Sequence, residues 1–243
     1  MTLSRSTSTL VLNYFNRSIF NSLNSSKHNL HNSAQNSLTF KRFNSSVCWK
    51  CGKERKNSQV FCETCNAVQA PLEKDNYFKV FGLEENFDID QQYLKNKFRK
   101  LQSMLHPDKF SNKTDEEQHI SAEYSSLLNK AYSSLHTPLK RAEHLLNLRG
   151  EQIGEEQAVD DPAFLMEIME LNEEMESAGN DKEKLKALNT KNKMELERIS
   201  KEVDECFRRN DIRAAKKTVI KLKYFSSLGS RINGVLRELG ETD

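Results

Sequence analysis

The sequence predicts an all-α protein: a helical hairpin, then a three-helix bundle, with a small cysteine-bearing segment in front. Three observations lead there. Only 8 Gly and 4 Pro occur in 243 residues, too little punctuation for the turns of an all-β fold. Charged residues make up 30% and hydrophobic residues 36%, a balance that suits long amphipathic helices. Apolar positions after residue 90 recur with helical spacing. No GxGxxG or GxxxxGK[ST] pattern occurs, which argues against dinucleotide-binding and P-loop enzymes. No stretch approaches the ~18 consecutive apolar residues of a membrane span, so a membrane is not expected as a partner.

Residues 1–46 are expected to lie outside the fold. They hold five basic residues (Arg5, Arg17, Lys27, Lys41, Arg42) and no acid; the first acidic residue is Glu54. Ser and Asn supply 19 of the 46. A basic, Ser-rich, acid-free leader with short apolar pieces (Leu10 to Leu12, Phe15, Ile19, Phe20, Leu23) has the character of a mitochondrial transit peptide. The other reading is a plain disordered tail. Processing is expected near Lys41-Arg42-Phe43. Without those five basics, 32 basic and 35 acidic residues remain, a net charge of −3. That does not suit a globally basic nucleic-acid binder.

Residues 47–70 carry Cys48-Trp49-Lys50-Cys51 and Cys62-Glu63-Thr64-Cys65. Two CxxC turns at this spacing can aim four sulfurs at one point, and four thiolates close a tetrahedral shell around one structural zinc. Gly52 frees the backbone after the first pair. Val60 and Phe61 are expected to form the returning strand of a small hairpin. An iron–sulfur or redox site uses the same ligands, and two disulfides are the third reading, disfavoured in a reducing compartment. Cys206 falls in a helical pattern and reads as a packing residue.

Residues 76–83 read as a short helix closed near Gly82. Asp90 reads as an N-cap, followed by Leu94, Phe98, Leu101 and Leu105 on one helical face. Lys95, Arg99 and Lys100 fall away from that face. Pro107 disfavours helical backbone at His106, so the chain turns at His106-Pro107-Asp108. Thr114 with Glu117 makes a capping box, and Ile120, Tyr124, Leu127, Leu128, Ala131 and Leu135 give the next helix its apolar face. The product is an antiparallel hairpin with His-Pro-Asp at its tip. An exposed tip without a pocket or nucleophile is poor ground for catalysis, and an enzyme is not expected.

This hairpin resembles a J-domain, the module that activates DnaK-type chaperones. The resemblance implies that His106, Pro107 and Asp108 stimulate the chaperone ATPase. It also implies that Lys97, Arg99 and Lys100 meet an acidic chaperone surface. The chain lacks the Gly/Phe-rich linker and β-rich substrate domains of general J-proteins. It continues instead through Asn129 to Tyr132 and Thr137-Pro138 to Ala142, then Leu145-Leu146 and Gly150. Thr137 caps a helix with Pro138 at its first position, and Gly150 stops it. That run resembles the HscB-type co-chaperones of iron–sulfur cluster assembly over about residues 48–239, and the tetracysteine segment resembles the animal-type members.

The J-domain is expected over 75–150 and a C-terminal three-helix domain over 160–240, with helices at about 161–177, 182–209 and 211–239. Their core stripes are Phe164, Ile168, Leu171 and Met175; Leu185, Leu188, Leu196, Ile199 and Val203; and Ile212, Ala215, Val219, Leu222, Phe225 and Ile232. Leu165, Met166 and Met169 lie ~100–200° from the first stripe, and Tyr224 is off the third. Docking against the hairpin would explain them; so would a partner patch rimmed by Glu170 and Glu173. The resemblance implies the patch, with Leu165, Met166, Met169, Glu170, Glu173 and Tyr224 binding an IscU-type scaffold. The expected whole is a non-enzymatic co-chaperone of the mitochondrial matrix, leaving room for a minor cytosolic pool and a weak homodimer. Its partners would be a DnaK-type mitochondrial chaperone and an IscU-type scaffold, not nucleic acid. The alternatives are a zinc-ribbon nucleic-acid-binding J-protein and a general protein-folding J-protein.

Overall fold

Short polar side chains set the helix starts. The computed structural model describes residues 46–55, 59–154 and 161–241; the leader expected before residue 46 lies outside them. Seven α-helices occur among the described residues: α1 (Tyr77–Phe81), α2 (Gln91–Met104), α3 (Asp115–His136), α4 (Pro138–Leu148), α5 (Pro162–Ala178), α6 (Lys182–Arg208) and α7 (Ile212–Glu238). A 3-10 turn, Pro107–Phe110, joins α2 to α3. Asn76, Asp90, Thr114, Asp161, Asp181 and Asp211 each accept a hydrogen bond from a backbone N–H in the first turn that follows. Such caps stabilise a helix by about 1 kcal/mol each. Thr137 departs from this pattern. Its hydroxyl donates to Ser133 O at 3.1 Å instead of capping α4, so Pro138 at the first position carries the start.

α2 and α3 form the expected hairpin. Leu94 and Leu105 of its first arm, and Leu128, Ala131 and Leu135 of its second, are fully buried. α1 packs on α3, closed at Gly82 with φ +61°, a left-handed conformation that glycine adopts without strain. α4 packs on α3 with one side and on α7 with the other, burying Ala142, Leu145 and Leu146. α5, α6 and α7 close the C-terminal bundle, and the three predicted stripes face inward. Phe164, Ile168, Leu171, Leu185, Leu188, Ile199, Val203, Ala215, Val219, Leu222, Phe225 and Ile232 are all buried.

The cysteine segment differs from the expected hairpin. Val47 pairs with Glu54 and Phe61 with Val68, each as a single antiparallel bridge within its own CxxC turn. The strand expected at Val60 and Phe61 is thus a single bridge, Phe61 to Val68, across the second CxxC turn. The reason is local: each turn reverses the chain within a few residues, so the nearest free backbone is its own. The segment is also not free-standing. Val60, Val68 and Ala70 join the same buried cluster as Phe78, Leu128 and the bundle residues through Leu236.

Candidate functional site

Leu105 and Phe110 pin the hairpin tip from both sides; they are 0% and 4% exposed. Ser121 Oγ donates to Leu105 O at 2.8 Å, tying the end of α2 to α3. Between the anchors, His106 has extended backbone (φ −61°, ψ 129°), as Pro107 requires. Lys109 N donates to His106 O at 2.9 Å and Ser111 Oγ to Asp108 O at 3.0 Å. The side chains of His106 and Asp108 stay 60% and 88% exposed, 3.4 Å apart at their nearest polar atoms. The backbone is fixed while the side chains are offered to solvent, an arrangement suited to recognition.

On α2, Lys95, Arg99 and Lys100 are exposed. Lys97 is not brought onto that open surface. It is half-buried, donates to Phe81 O at 3.1 Å and sits 5.4 Å above the Tyr93 ring, so it ties α1 to α2.

The four cysteine sulfurs lie within 4.8 Å of one another, with Cys48 to Cys65 and Cys51 to Cys62 both at 3.6 Å. A tetrahedral site with Zn–S of ~2.3 Å needs sulfurs about 3.8 Å apart, so the residues fit a tetrathiolate metal ion. Backbone N–H groups of Cys65 and Thr64 hold the Cys62 thiol down to about 6. Cys65 is pushed up to about 12: burial and the sulfurs of Cys51, Cys48 and Cys62 outweigh the N–H of Ala67. Four clustered sulfurs cannot all ionise without a cation among them. Gly52 has φ +71°, as its place after the first CxxC suggested, and Asn66 has φ +56° at the equivalent place after the second. Asn66 was legible too, since Asn tolerates the left-handed region. Gln69, fully buried, donates to Cys48 Sγ at 3.3 Å. Trp49 Nε1 donates to Val68 O at 2.7 Å and locks one turn to the other.

On α5, Met166 and Met169 are exposed at 62% and 39%, Leu165 is half-buried, and Glu170 and Glu173 are exposed. Tyr224 of α7 is half-buried. Its ring stands edge-on to Phe164 at 5.7 Å, and burial raises its hydroxyl pKa. It therefore packs on the core stripe of α5 through Phe164, a contact between helices that periodicity could not foretell. Cys206 is half-buried against the core, as expected of a packing residue.

A family model described as the HSCB C-terminal oligomerisation domain matches residues 160–233, and a DnaJ-domain model matches residues 76–144. The iron–sulfur cluster co-chaperone protein HscB of Mus musculus is 32% identical over 189 residues, spanning 76% of this chain and 80% of its own length. The chain belongs to the HscB family. The HscB homologue of Arabidopsis thaliana is 33% identical, over 73% of this chain and 69% of its own. The crystal structure of human co-chaperone HscB superposes with a TM-score of 0.71 at 31% identity, covering 80% of this chain and all of that one. The HscB-family fold thus places a J-domain and the family's C-terminal helices in one chain, preceded by the four-cysteine cluster. No helix among the described residues is long and apolar enough to cross a membrane.

Proposed function

We propose that the chain is a J-type co-chaperone of iron–sulfur cluster assembly that acts in the mitochondrial matrix. It stimulates ATP hydrolysis by a DnaK-type chaperone and delivers an IscU-type scaffold to it, promoting cluster release. The observation that carries this reading is the tip of the hairpin: a rigid turn between two buried anchors that leaves His106 and Asp108 open. Side chains kept out of the core at a structured tip are available for a partner and contribute little to folding. Lys95, Arg99 and Lys100 supply positive charge beside it, which speeds encounter with an acidic surface. Leu165, Met169 and Tyr224 are the apolar anchors for the scaffold, with Met166 beside them and Glu170 and Glu173 as the charged rim. Cys48, Cys51, Cys62 and Cys65 hold one zinc ion, which supplies a closed, non-catalytic cross-link. The chain itself carries out no covalent chemistry.

Affinity capture from a mitochondrial matrix extract tests the proposal. The wild-type chain should retain both a DnaK-type chaperone and the scaffold. Recovery of unfolded client proteins without the scaffold would point to general folding instead.

A further inference from the structure

The carboxylate of Glu117 is buried, with its side chain only 7% exposed. It occupies the first turn of α3, directly after the His106–Asp108 loop. Two groups approach it. Thr114, the cap residue of α3, places its hydroxyl 3.2 Å from Oε2 and also accepts the Glu117 N–H at 3.3 Å. The other is Lys50, which lies between Cys48 and Cys51 and brings its ammonium to 3.6 Å. A buried carboxylate that loses its cation is strongly disfavoured where it stands. The first cysteine turn and the exit of the loop are therefore connected through one charge pair and one cap.

The position of Lys50 depends on the metal-binding turn. Its backbone N–H points at Cys48 Sγ from 3.4 Å, and Gly52 N–H closes the turn on Cys48 O at 2.9 Å. The other end of the turn is tied to the end of the cysteine segment by Arg55, a buried cation that donates to Ala70 O at 2.6 Å.

We propose that Lys50 and Glu117 form a strut through which the metal-loaded first cysteine turn holds the exit of the His106–Asp108 loop. Lys50 is thereby a positioning residue for the chaperone-activating loop. The functional half of this statement rests on the reading of that loop given above; the structural half does not. The strut explains why a metal site without an open position sits against the hairpin, and it gives metal loading an influence on how well the loop is presented.

Amide hydrogen exchange at Glu117 and Gln118 in the full chain, followed by NMR, tests the strut without reference to any chaperone. These two N–H groups bond to Thr114. Lys50→Ala and Glu117→Gln, each verified to hold one zinc by chelator titration, should exchange about tenfold faster there. Stripping the metal from the wild type should do the same. Lys50→Arg should restore protection. In ATPase assays, Lys50→Ala and Glu117→Gln should both raise the concentration for half-maximal stimulation about threefold, leaving the maximal rate close to wild type. Unchanged exchange in zinc-loaded Lys50→Ala would overturn the strut, even if metal removal loosens the turn. Weaker stimulation by Lys50→Ala but not Glu117→Gln would overturn it as well, because Lys50 would then touch the chaperone directly. Faster exchange in the variants, together with a wild type that stimulates no DnaK-type chaperone, would leave the strut standing and refute the function of the loop.

Discussion

Phe87 stacks on Phe207 with ring centroids 6.3 Å apart and 22° between planes, pinning the loop before α2 to the last turn of α6. The guanidinium of Arg141, on α4, lies 4.9 Å from the same Phe87 ring. Arg141 is itself only 6% exposed, and burial lowers its pKa to about 10 against the pull of Asp88 and Asp204. One aromatic ring thus fastens the hairpin half to the bundle half. Phe87→Ala removes the ring from both neighbours and leaves a buried cation facing a void. It should cost about 3–5 kcal/mol. Denaturant melts of variant and wild type measure this, and a loss under about 1 kcal/mol would show that the contact is not a fastening.

Adjacent residues on α5 should behave differently. Phe164 is 4% exposed and its neighbour Leu165 is half-buried, about 100° away around the axis. Phe164→Ala should cost about 3–5 kcal/mol, and Leu165→Ala about 1 kcal/mol or less. Thermal melts compare them.

Changing Leu165, Met169 and Tyr224 together to Ala should weaken scaffold binding at least about tenfold, or 1.4 kcal/mol. Calorimetric titration reads the affinity. Because Tyr224 packs on Phe164, the triple variant should also melt somewhat earlier, so Leu165→Ala with Met169→Ala is the control that leaves the core alone. Wild-type affinity in a folded triple variant would remove the patch from the interface.

His144 gives the fold a pH dependence. Its Nε2 accepts the Tyr77 N–H at 3.0 Å and its ring stacks on Tyr77 at 4.2 Å, so it is neutral in the folded chain. Burial holds its pKa below 6.5 despite the upward pull of Glu85. The unfolded chain therefore takes up the proton first, and stability rises with pH through this window. The contribution is complete above 6.5 and is lost as pH falls through 6.5 toward the folded pKa. Melting curves between acid and neutral pH should show a steeper acid loss for wild type than for His144→Gln. Equal slopes would contradict the neutral, buried state.

Metal content should be one zinc per chain, and Cys62→Ser should abolish it. Helical circular dichroism should largely survive, because the helices bury their own stripes. The melting temperature should fall, because Val60, Val68 and Ala70 belong to the shared core. An unchanged melting temperature in the metal-free variant would show that the segment is independent of the hairpin.

Much of this architecture was legible in the sequence. Asp90, Thr114 and Pro138, and the apolar stripes of the last three helices, mark elements whose observed limits lie within a residue or two of those expected. Helix caps and periodicity are local signals and survive reading one residue at a time. The tetracysteine cluster was equally readable, since metal-ligand spacing is local as well. What escaped were contacts between distant segments with no period: Phe87 with Phe207, Lys50 with Glu117, Tyr77 with His144. Lys97 shows the same limit from the other side. The J-domain resemblance offered it to an acidic chaperone surface, and only the folded chain reveals the Phe81 carbonyl that engages it. The returning strand expected at Val60 and Phe61 is cut to one antiparallel bridge with Val68, because the second CxxC turn reverses the chain directly after it.

ATP hydrolysis by a mitochondrial DnaK-type chaperone, measured with the full chain and the scaffold together, tests the central claim most directly. The chain alone should raise the rate, and chain plus scaffold should raise it further than either does alone. His106→Gln should abolish both effects while its affinity for the scaffold stays unchanged. Stimulation by His106→Gln equal to wild type, or no stimulation by the wild-type chain with scaffold present, would contradict the account.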